Sequence, residues 1–331
     1  MKKILIINTG GTLSSVMKDN GMAPGLSTRD MMSELKMVSG EAELSFVDLF
    51  SLDSANIFPR DWAAMAEKIA EEQADYDGIV VIHGTDTLAY TSSMLSFMLP
   101  NIPIPIVITG SQLSMTHPVA DAMENCRLAI NMAKTGCPGV FVAFNRKVML
   151  GCRASKVRSL SFDAFESINY PYTALVSSLG MEVNERVIPK RRGIFKVRPE
   201  FCREVAFIKM FPGIKSDILE KLCDDGCRGI FIEAFGLGGI PFCGDNFVEK
   251  IGETIERGIP VVVGTQCRYE GSNLSIYETG RKTKDAGAIE SRDMTSEAAL
   301  TKLMWVLGQT SDLKEIREYF RVSLCGEINV N

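Results

Sequence analysis

Two short stretches carry the residue types that could do chemistry together. The first, Asn8-Thr9-Gly10-Gly11-Thr12, ends an apolar run that starts at Lys3. The second, His83-Gly84-Thr85-Asp86-Thr87, ends another apolar run, and Thr12 and Thr85 stand 73 residues apart. Each puts a hydroxyl directly after glycine, where the backbone can turn tightly or bring its N–H groups close to a ligand. A threonine hydroxyl is a poor nucleophile until a base takes its proton. The chain has only two histidines, His83 and His117, so a Ser-His-Asp hydrolase must use one of them and an imidazole-rich metal site is hard to assemble. A lysine desolvated in a pocket can serve as the base instead. Lys156 is the candidate, acting through Thr85, with Asp86 fixing the lysine or binding a cationic group. N–H groups around Gly10-Gly11 and Gly84-Thr85 could hold a developing oxyanion. Ser54, behind a third apolar run, completes the set. If Thr12, Ser54, Thr85, Asp86 and Lys156 meet, the sum is threonine-dependent acyl transfer on a small polar substrate. Each residue also has a plainer reading. Thr12 can be a turn threonine, Ser54 a loop or cap serine, Asp86 a helix cap and Lys156 a surface lysine. His83 reads as a satisfied strand-end histidine and is assigned no chemistry.

The elements that must position these residues follow from periodicity. Strands are expected at Lys3–Ile7, Leu44–Phe50, Gly78–Ile82, Ile104–Thr109 and Val140–Phe144. Between them, Arg29–Met37, the segment after Pro59, Leu88 to Pro100 and Val119–Lys134 keep a helical pattern. Pro59 suits a first helical turn, and Trp62, Met65, Ala66, Ile69 and Ala70 form its apolar face. Ser27 with Asp30 resembles a capping box. Ser14 to Thr28 reads as a polar loop that could act as a lid. This alternation predicts an α/β fold with a mostly parallel sheet and helices on both faces. Short strands and turns are expected over Arg146–Ala174. The alternation restarts with strands at Val205–Phe211, Gly229–Phe235 and Pro260–Gly264, and helices at Ser216–Asp224, Asp245–Arg257, Ser296–Leu307 and Asp312–Phe320.

At 331 residues, two domains are the first expectation. They are an N-terminal α/β domain over 1–185 carrying the chemistry and a smaller C-terminal α/β domain over 204–331. The basic, proline-containing segment 186–203 reads as a linker between them. The net charge of -5 argues against a general nucleic-acid or anionic-membrane binder. No apolar run approaches the roughly 20 residues of a membrane helix. Nine scattered cysteines suit a reducing cytoplasm, and Cys223 and Cys227 lack a second pair to complete a zinc site. Gly236-Leu237-Gly238-Gly239 is followed by Pro241 at the sixth position, which disfavours a dinucleotide site. The basic start is not followed by a small-residue cleavage site.

Asn8-Thr9-Gly10-Gly11-Thr12-Leu13 and His83-Gly84-Thr85-Asp86-Thr87-Leu88-Ala89-Tyr90-Thr91 resemble the two signatures of the bacterial-type L-asparaginases. The resemblance extends over Asp53-Ser54, Ile108 to Gln112, Ser155-Lys156, Phe162 to Phe165, Gly264 to Cys267 and Lys302 to Gly308. The Thr265-Gln266-Cys267 element is similar to the cytoplasmic type I branch. The resemblance implies two α/β domains, a homodimer or homotetramer, and no cofactor. It implies that Thr12 forms a β-aspartyl ester with L-asparagine, with Thr85, Asp86 and Lys156 as the second catalytic group. Asp86 would also hold the substrate α-ammonium. Ser54 with its neighbours Asp53 and Ala55 would bind the α-carboxylate, and Gly11 and Thr85 would complete the substrate site. Two departures stand out: Met22 replaces the family's loop tyrosine, and Gly239 replaces an asparagine that reaches a neighbouring subunit. Alternatives are an asparaginase-like subunit of a tRNA-dependent amidotransferase, or a non-catalytic amino-acid sensor.

Overall fold

Strand β1 (Lys3–Gly10) is buried from Ile4 onward, as a run without polar alternation requires of a strand covered on both faces. The structure, a computed structural model, describes residues 1–18, 21–24 and 28–329 and divides into two units, Met1–Pro199 and Glu200–Asn331. In the first unit β1 is followed by β2 (Ser15–Lys18), β3 (Gly21–Pro24), α1 (Thr28–Val38), β4 (Glu43–Leu52) and α2 (Pro59–Glu72). Then come β5 (Gly78–Ile82), α3 (Leu88–Met98), β6 (Pro105–Thr109), α4 (Ala122–Ala133) and β7 (Gly139–Phe144). Short strands complete the unit: β8 (Lys147–Leu150), β9 (Ala154–Lys156), β10 (Phe165–Ser167), β11 (Ala174–Ser177) and β12 (Gly180–Val183).

Eight strands form one sheet in the order β12-β11-β8-β7-β6-β5-β1-β4. The five from β7 to β4 are parallel, and β8, β11 and β12 extend the sheet in antiparallel fashion. The chain leaves β1 for β4 on one side and leaves β5 for β6 on the other. Connections therefore diverge between the carboxyl ends of β1 and β5, and such a divergence opens a crevice above a parallel sheet. Asn8 pairs with Ile82 in register, so the turns after both strands meet at that crevice.

The sheet's antiparallel extension begins at a two-residue turn, Asn145-Arg146, with φ of 45° and 63°. Two successive left-handed residues match the right-handed twist of a tight hairpin. The sequence stretch read as a loop, Ser14 to Thr28, instead contains an antiparallel pair. β2 and β3 lie in register with Met17 opposite Met22. Backbone pairing between the two strands overrides the polar composition there. The capping residue expected at Ser27 lies outside the described residues. Helix α4 starts at Ala122 rather than Val119. The segment ahead of it is held in turns, with Ala120 N–H donating to His117 C=O and Val119 N–H to His117 Nδ1. In the basic 186–203 segment, Arg192 N–H donates to Asn101 Oδ1 and Arg198 N–H to Met98 C=O.

A buried polar chain ties α2, α3 and the end of β5 together. Trp62 Nε1 donates to Thr91 Oγ1 at 2.9 Å, and Thr91 Oγ1 lies 2.9 Å from His83 Nε2. His83 Nδ1 is 2.7 Å from the Gly84 carbonyl, which can only accept. Nδ1 therefore carries the proton and Nε2 accepts from Thr91. Burial of the ring pushes the His83 pKa down to about 4, the Gly84 carbonyl opposing the shift. The imidazole is a structural strut, as its position at a strand end suggests.

The second unit contains β13 (Val205–Lys209), α5 (Asp217–Asp224), β14 (Gly229–Ala234), α6 (Phe247–Glu256) and β15 (Val261–Thr265). It continues with α7 (Glu278–Asp285), β16 (Ile289–Glu290), α8 (Ser296–Gln309) and α9 (Leu313–Arg321). The four strands form a parallel sheet in sequence order. Neither α7 nor β16 is expected from the sequence pattern, since α7 is strongly polar and β16 has two residues. Lys302 on α8 forms an ion pair with Glu327, and both side chains are fully buried. Glu327 also accepts from the N–H groups of Leu324 and Cys325, which pins the chain after α9 onto α8. None of the nine cysteines is joined in a disulfide.

Two stability predictions follow the two buried polar groups. Between pH 6.5 and about 4 the unfolded chain protonates His83 and the fold does not, so stability falls on acidification through that window. The expected loss is about 3 kcal/mol, read by chemical denaturation as the difference between wild type and His83→Gln; identical pH slopes would contradict a buried neutral ring. Lys302→Met leaves the buried Glu327 without its counter-charge, and is expected to destabilise by about 3–5 kcal/mol. The double change Lys302→Met with Glu327→Leu should recover most of that loss in the same assay.

Candidate active site

At the crevice the backbones of two turns touch. A Cβ on Gly11 would lie 2.3 Å from the Gly84 nitrogen and 2.4 Å from its Cα, and Gly11 has a φ of +85°. A Cβ on Gly84 would lie 2.5 Å from Ser54 Oγ and 3.2 Å from Gly11 Cα. Only glycine at both positions lets the three turns after β1, β4 and β5 close on one another. Further bonds lock them. Gly11 N–H donates to Leu52 C=O at 2.9 Å, and Thr9 Oγ1 donates to Ile82 C=O at 2.7 Å.

Thr12 follows Gly11 at the opening of a short 3-10 turn, Thr12–Ser14, and is partly exposed. Ser54 is 2% exposed. Its Oγ accepts from Asp86 N–H at 3.2 Å, and its carbonyl accepts from Thr87 Oγ1 at 2.8 Å. Ser54 is thus bonded directly to the 85–87 turn. Asp53 and Ala55 flank it and are exposed, and Asp53 Oδ1 accepts from Ala55 N–H at 2.9 Å as the cap of the Ser54–Asn56 turn.

Lys156 reaches the same place from β9. Its Nζ donates to Thr85 Oγ1 at 2.9 Å and to Asp86 Oδ1 at 2.6 Å. Thr85 is 5% exposed, whereas the Asp86 side chain is 63% exposed and faces solvent. The carboxylate therefore has surface left for an incoming cation. β9 is held by pairing with β10, Lys156 opposite Phe165. Behind that hairpin, Asp163 accepts from Lys147 Nζ at 2.6 Å and from Asn145 Nδ2 at 3.1 Å. The Lys147 hydrogen bond holds the Asp163 carboxyl below the usual carboxylate range.

Gln112, in the turn after β6, is a contact that the sequence pattern does not place in the site. Its Nε2 faces two carbonyls, Ser159 at 3.3 Å and Ser161 at 3.1 Å. The amide is thereby oriented with Oε1 toward Thr85, whose Oγ1 donates to it at 3.3 Å. Asp121 holds the Gln112 backbone, accepting from Gln112 N–H at 3.1 Å and from Leu113 N–H at 3.2 Å. The available signal is that Gly110-Ser111-Gln112 ends a buried strand next to β5.

Chemically, the crevice offers a partly exposed hydroxyl beside a glycine turn, a lysine–threonine–aspartate cluster and a buried serine. Among the described residues no group of three or more His, Cys, Asp or Glu is arranged to hold a metal ion. No helix among them is long and apolar enough to cross a membrane.

Similarity to known proteins extends over nearly the full chain. Residues 3–189 match the model of the asparaginase N-terminal domain, and residues 204–320 match that of the glutaminase/asparaginase C-terminal domain. An L-asparaginase of Thermococcus kodakarensis is 45% identical over 98% of this chain and 99% of its own length. The solved structure of the thermostable L-asparaginase from that organism superposes with a TM-score of 0.93 at 44% identity, covering 99% of this chain and 100% of that one. L-asparaginase I from Vibrio cholerae superposes with a TM-score of 0.89 at 31% identity, covering 99% of both chains. A glutamyl-tRNA(Gln) amidotransferase component from Methanobrevibacter smithii is 35% identical over 99% of this chain and 77% of its own length. With both domain models matched in order along one chain, the protein belongs to the asparaginase family.

Proposed function

We propose that the chain is an L-asparaginase that hydrolyses L-asparagine to L-aspartate and ammonia through an acyl-enzyme on Thr12. The observation that carries this reading is the Lys156–Thr85–Asp86 cluster, joined through Gly84 to the turn that bears Thr12. In this reading the Thr12 proton passes by way of Thr85 to Lys156, which must be a free amine to accept it. Thr12 Oγ1 attacks the side-chain amide carbon. N–H groups of the glycine turns stabilise the oxyanion, and the leaving nitrogen departs as ammonia after protonation. Water then attacks the β-aspartyl ester and aspartate is released. Asp86, largely open to solvent, takes the substrate α-ammonium, and Ser54 with Asp53, Ala55 and Gly11 surrounds the α-carboxylate. No cofactor enters these steps.

The asparaginase reading is preferred over an amidotransferase component because similarity to an L-asparaginase is higher and runs the length of both chains. A cytoplasmic homo-oligomer fits the same reading. Asparagine and glutamine differ by one methylene, worth about 1–3 kcal/mol to a pocket, so slower glutamine hydrolysis is expected alongside the main activity.

Ammonia release from L-asparagine tests the proposal. Thr12→Ala should lower turnover by about four orders of magnitude or more with an unchanged circular dichroism spectrum; near-normal turnover would reject the nucleophile. Lys156→Met should lower kcat by about 100- to 10,000-fold, and an unaltered kcat would mean that another base operates.

A further inference from the structure

The second unit contains a cavity that the proposed reaction does not use. It lies between α7, β16 and α9 and has a volume of about 480 Å³, within the range of small-molecule sites. Four cations line it: Lys284, Arg292, Arg317 and Arg321, against one carboxylate, Glu290. This concentration of positive charge occurs in a chain whose net charge is -5.

Three of the four cations are held in place by hydrogen bonds to neutral acceptors. Lys284 Nζ donates to Ser275 Oγ at 2.9 Å, Arg292 Nη2 to the Asn329 carbonyl at 3.0 Å, and Arg317 Nη2 to the Gly287 carbonyl. All three acceptors are neutral, so they fix positions while leaving the charge available. Gly287, at φ +101°, leaves room for one of these heads, since a Cβ there would stand 3.3 Å from Arg317 Nη2. Arg321 pairs with Glu318, but their side chains are 71% and 64% exposed. Such a pair contributes little and exchanges easily for another anion. Glu290 is tied to Leu274 N–H at 3.1 Å. Burial raises its pKa, against the pull of the Leu274 N–H, Lys284 and Arg292, which lessens its repulsion of an anion. Between the cations, Ile289 and Phe320 supply an apolar wall.

We propose that this cavity binds an organic polyphosphate of nucleotide size, its phosphates held by Lys284, Arg317 and Arg321 and its organic part resting on Ile289 and Phe320. Guanidinium forks suit phosphate oxygens in two-point contact. The cations ring a concavity instead of running along a surface stripe, which favours a small molecule over a nucleic-acid strand.

The test is titration calorimetry of the full chain with ATP, inorganic tripolyphosphate and a short RNA duplex as probes. ATP should bind with a Kd below about 1 mM, more tightly than tripolyphosphate, and weaken as salt rises. The exposed pair Lys284→Gln with Arg321→Gln should weaken ATP at least tenfold. Glu290→Gln keeps an acceptor for Leu274 and removes a negative charge, so it should tighten ATP several-fold, a gain that misfolding cannot produce. Absence of ATP binding, or ATP binding indifferent to both variants, would overturn the proposal. RNA bound more tightly than ATP through the same residues would overturn the small-molecule assignment. These results are independent of asparagine turnover, which neither variant should change.

Discussion

The contact on which the candidate site depends is the one between Gly11 and Gly84, where two main chains approach with no side chain between them. A methyl group on either would have to occupy space already filled by backbone or by Ser54. Because β1 and β5 are adjacent, parallel and in register, their following turns are delivered to the same height above the sheet. The fold supplies proximity, and the two glycines convert proximity into contact. The turns that carry Thr12, Ser54 and the 85–87 residues are thereby packed directly on one another.

Much of the polar chemistry at the crevice has a structural share. Ser54 holds the turn of Asp86 and Thr87 through two hydrogen bonds, and Asp53 caps the short helical turn in which Ser54 sits. Gln112 links the turn after β6 to Thr85 and to the segment beyond Lys156. Structural and chemical readings of these residues do not compete, because a group fixed by hydrogen bonds presents its remaining atoms in a defined direction. That fixing is what lets a site be complementary to a reacting group before substrate arrives.

The parallel core was legible in the sequence because unbroken apolar runs such as Ile4–Ile7 and Gly78–Ile82 have few alternatives to a covered strand. The meeting of Ser54 with the 85–87 turn at one sheet edge is signalled by the hydroxyl and glycine residues that end those runs, whereas Lys156 arrives from β9, which follows no such run. Other features were hidden for identifiable reasons. The pairing of Ser15–Lys18 with Gly21–Pro24 carries no apolar alternation. The turn at Asn145-Arg146 lacks the glycine that usually marks a tight hairpin. Helix α7 has its apolar positions diluted by charge, and the two-residue β16 falls below any periodic signal. Gln112 was hidden because its contribution depends on carbonyls at 159 and 161, distant in sequence and brought near only by the β9–β10 hairpin.

The chain linking Trp62, Thr91, His83 and the Gly84 carbonyl has a spectroscopic consequence. The protein contains two tryptophans. Trp62 is wired to the turn at the crevice in the first unit, and Trp305, edge-on to Tyr319, belongs to the second. Each unit thus carries one tryptophan, which can be excited selectively over tyrosine at the red edge of its absorption. Emission from the Trp62 indole reads the hydrogen-bond state behind the crevice, and that from Trp305 reads the packing of α8 on α9, so events in either unit can be followed optically without a label.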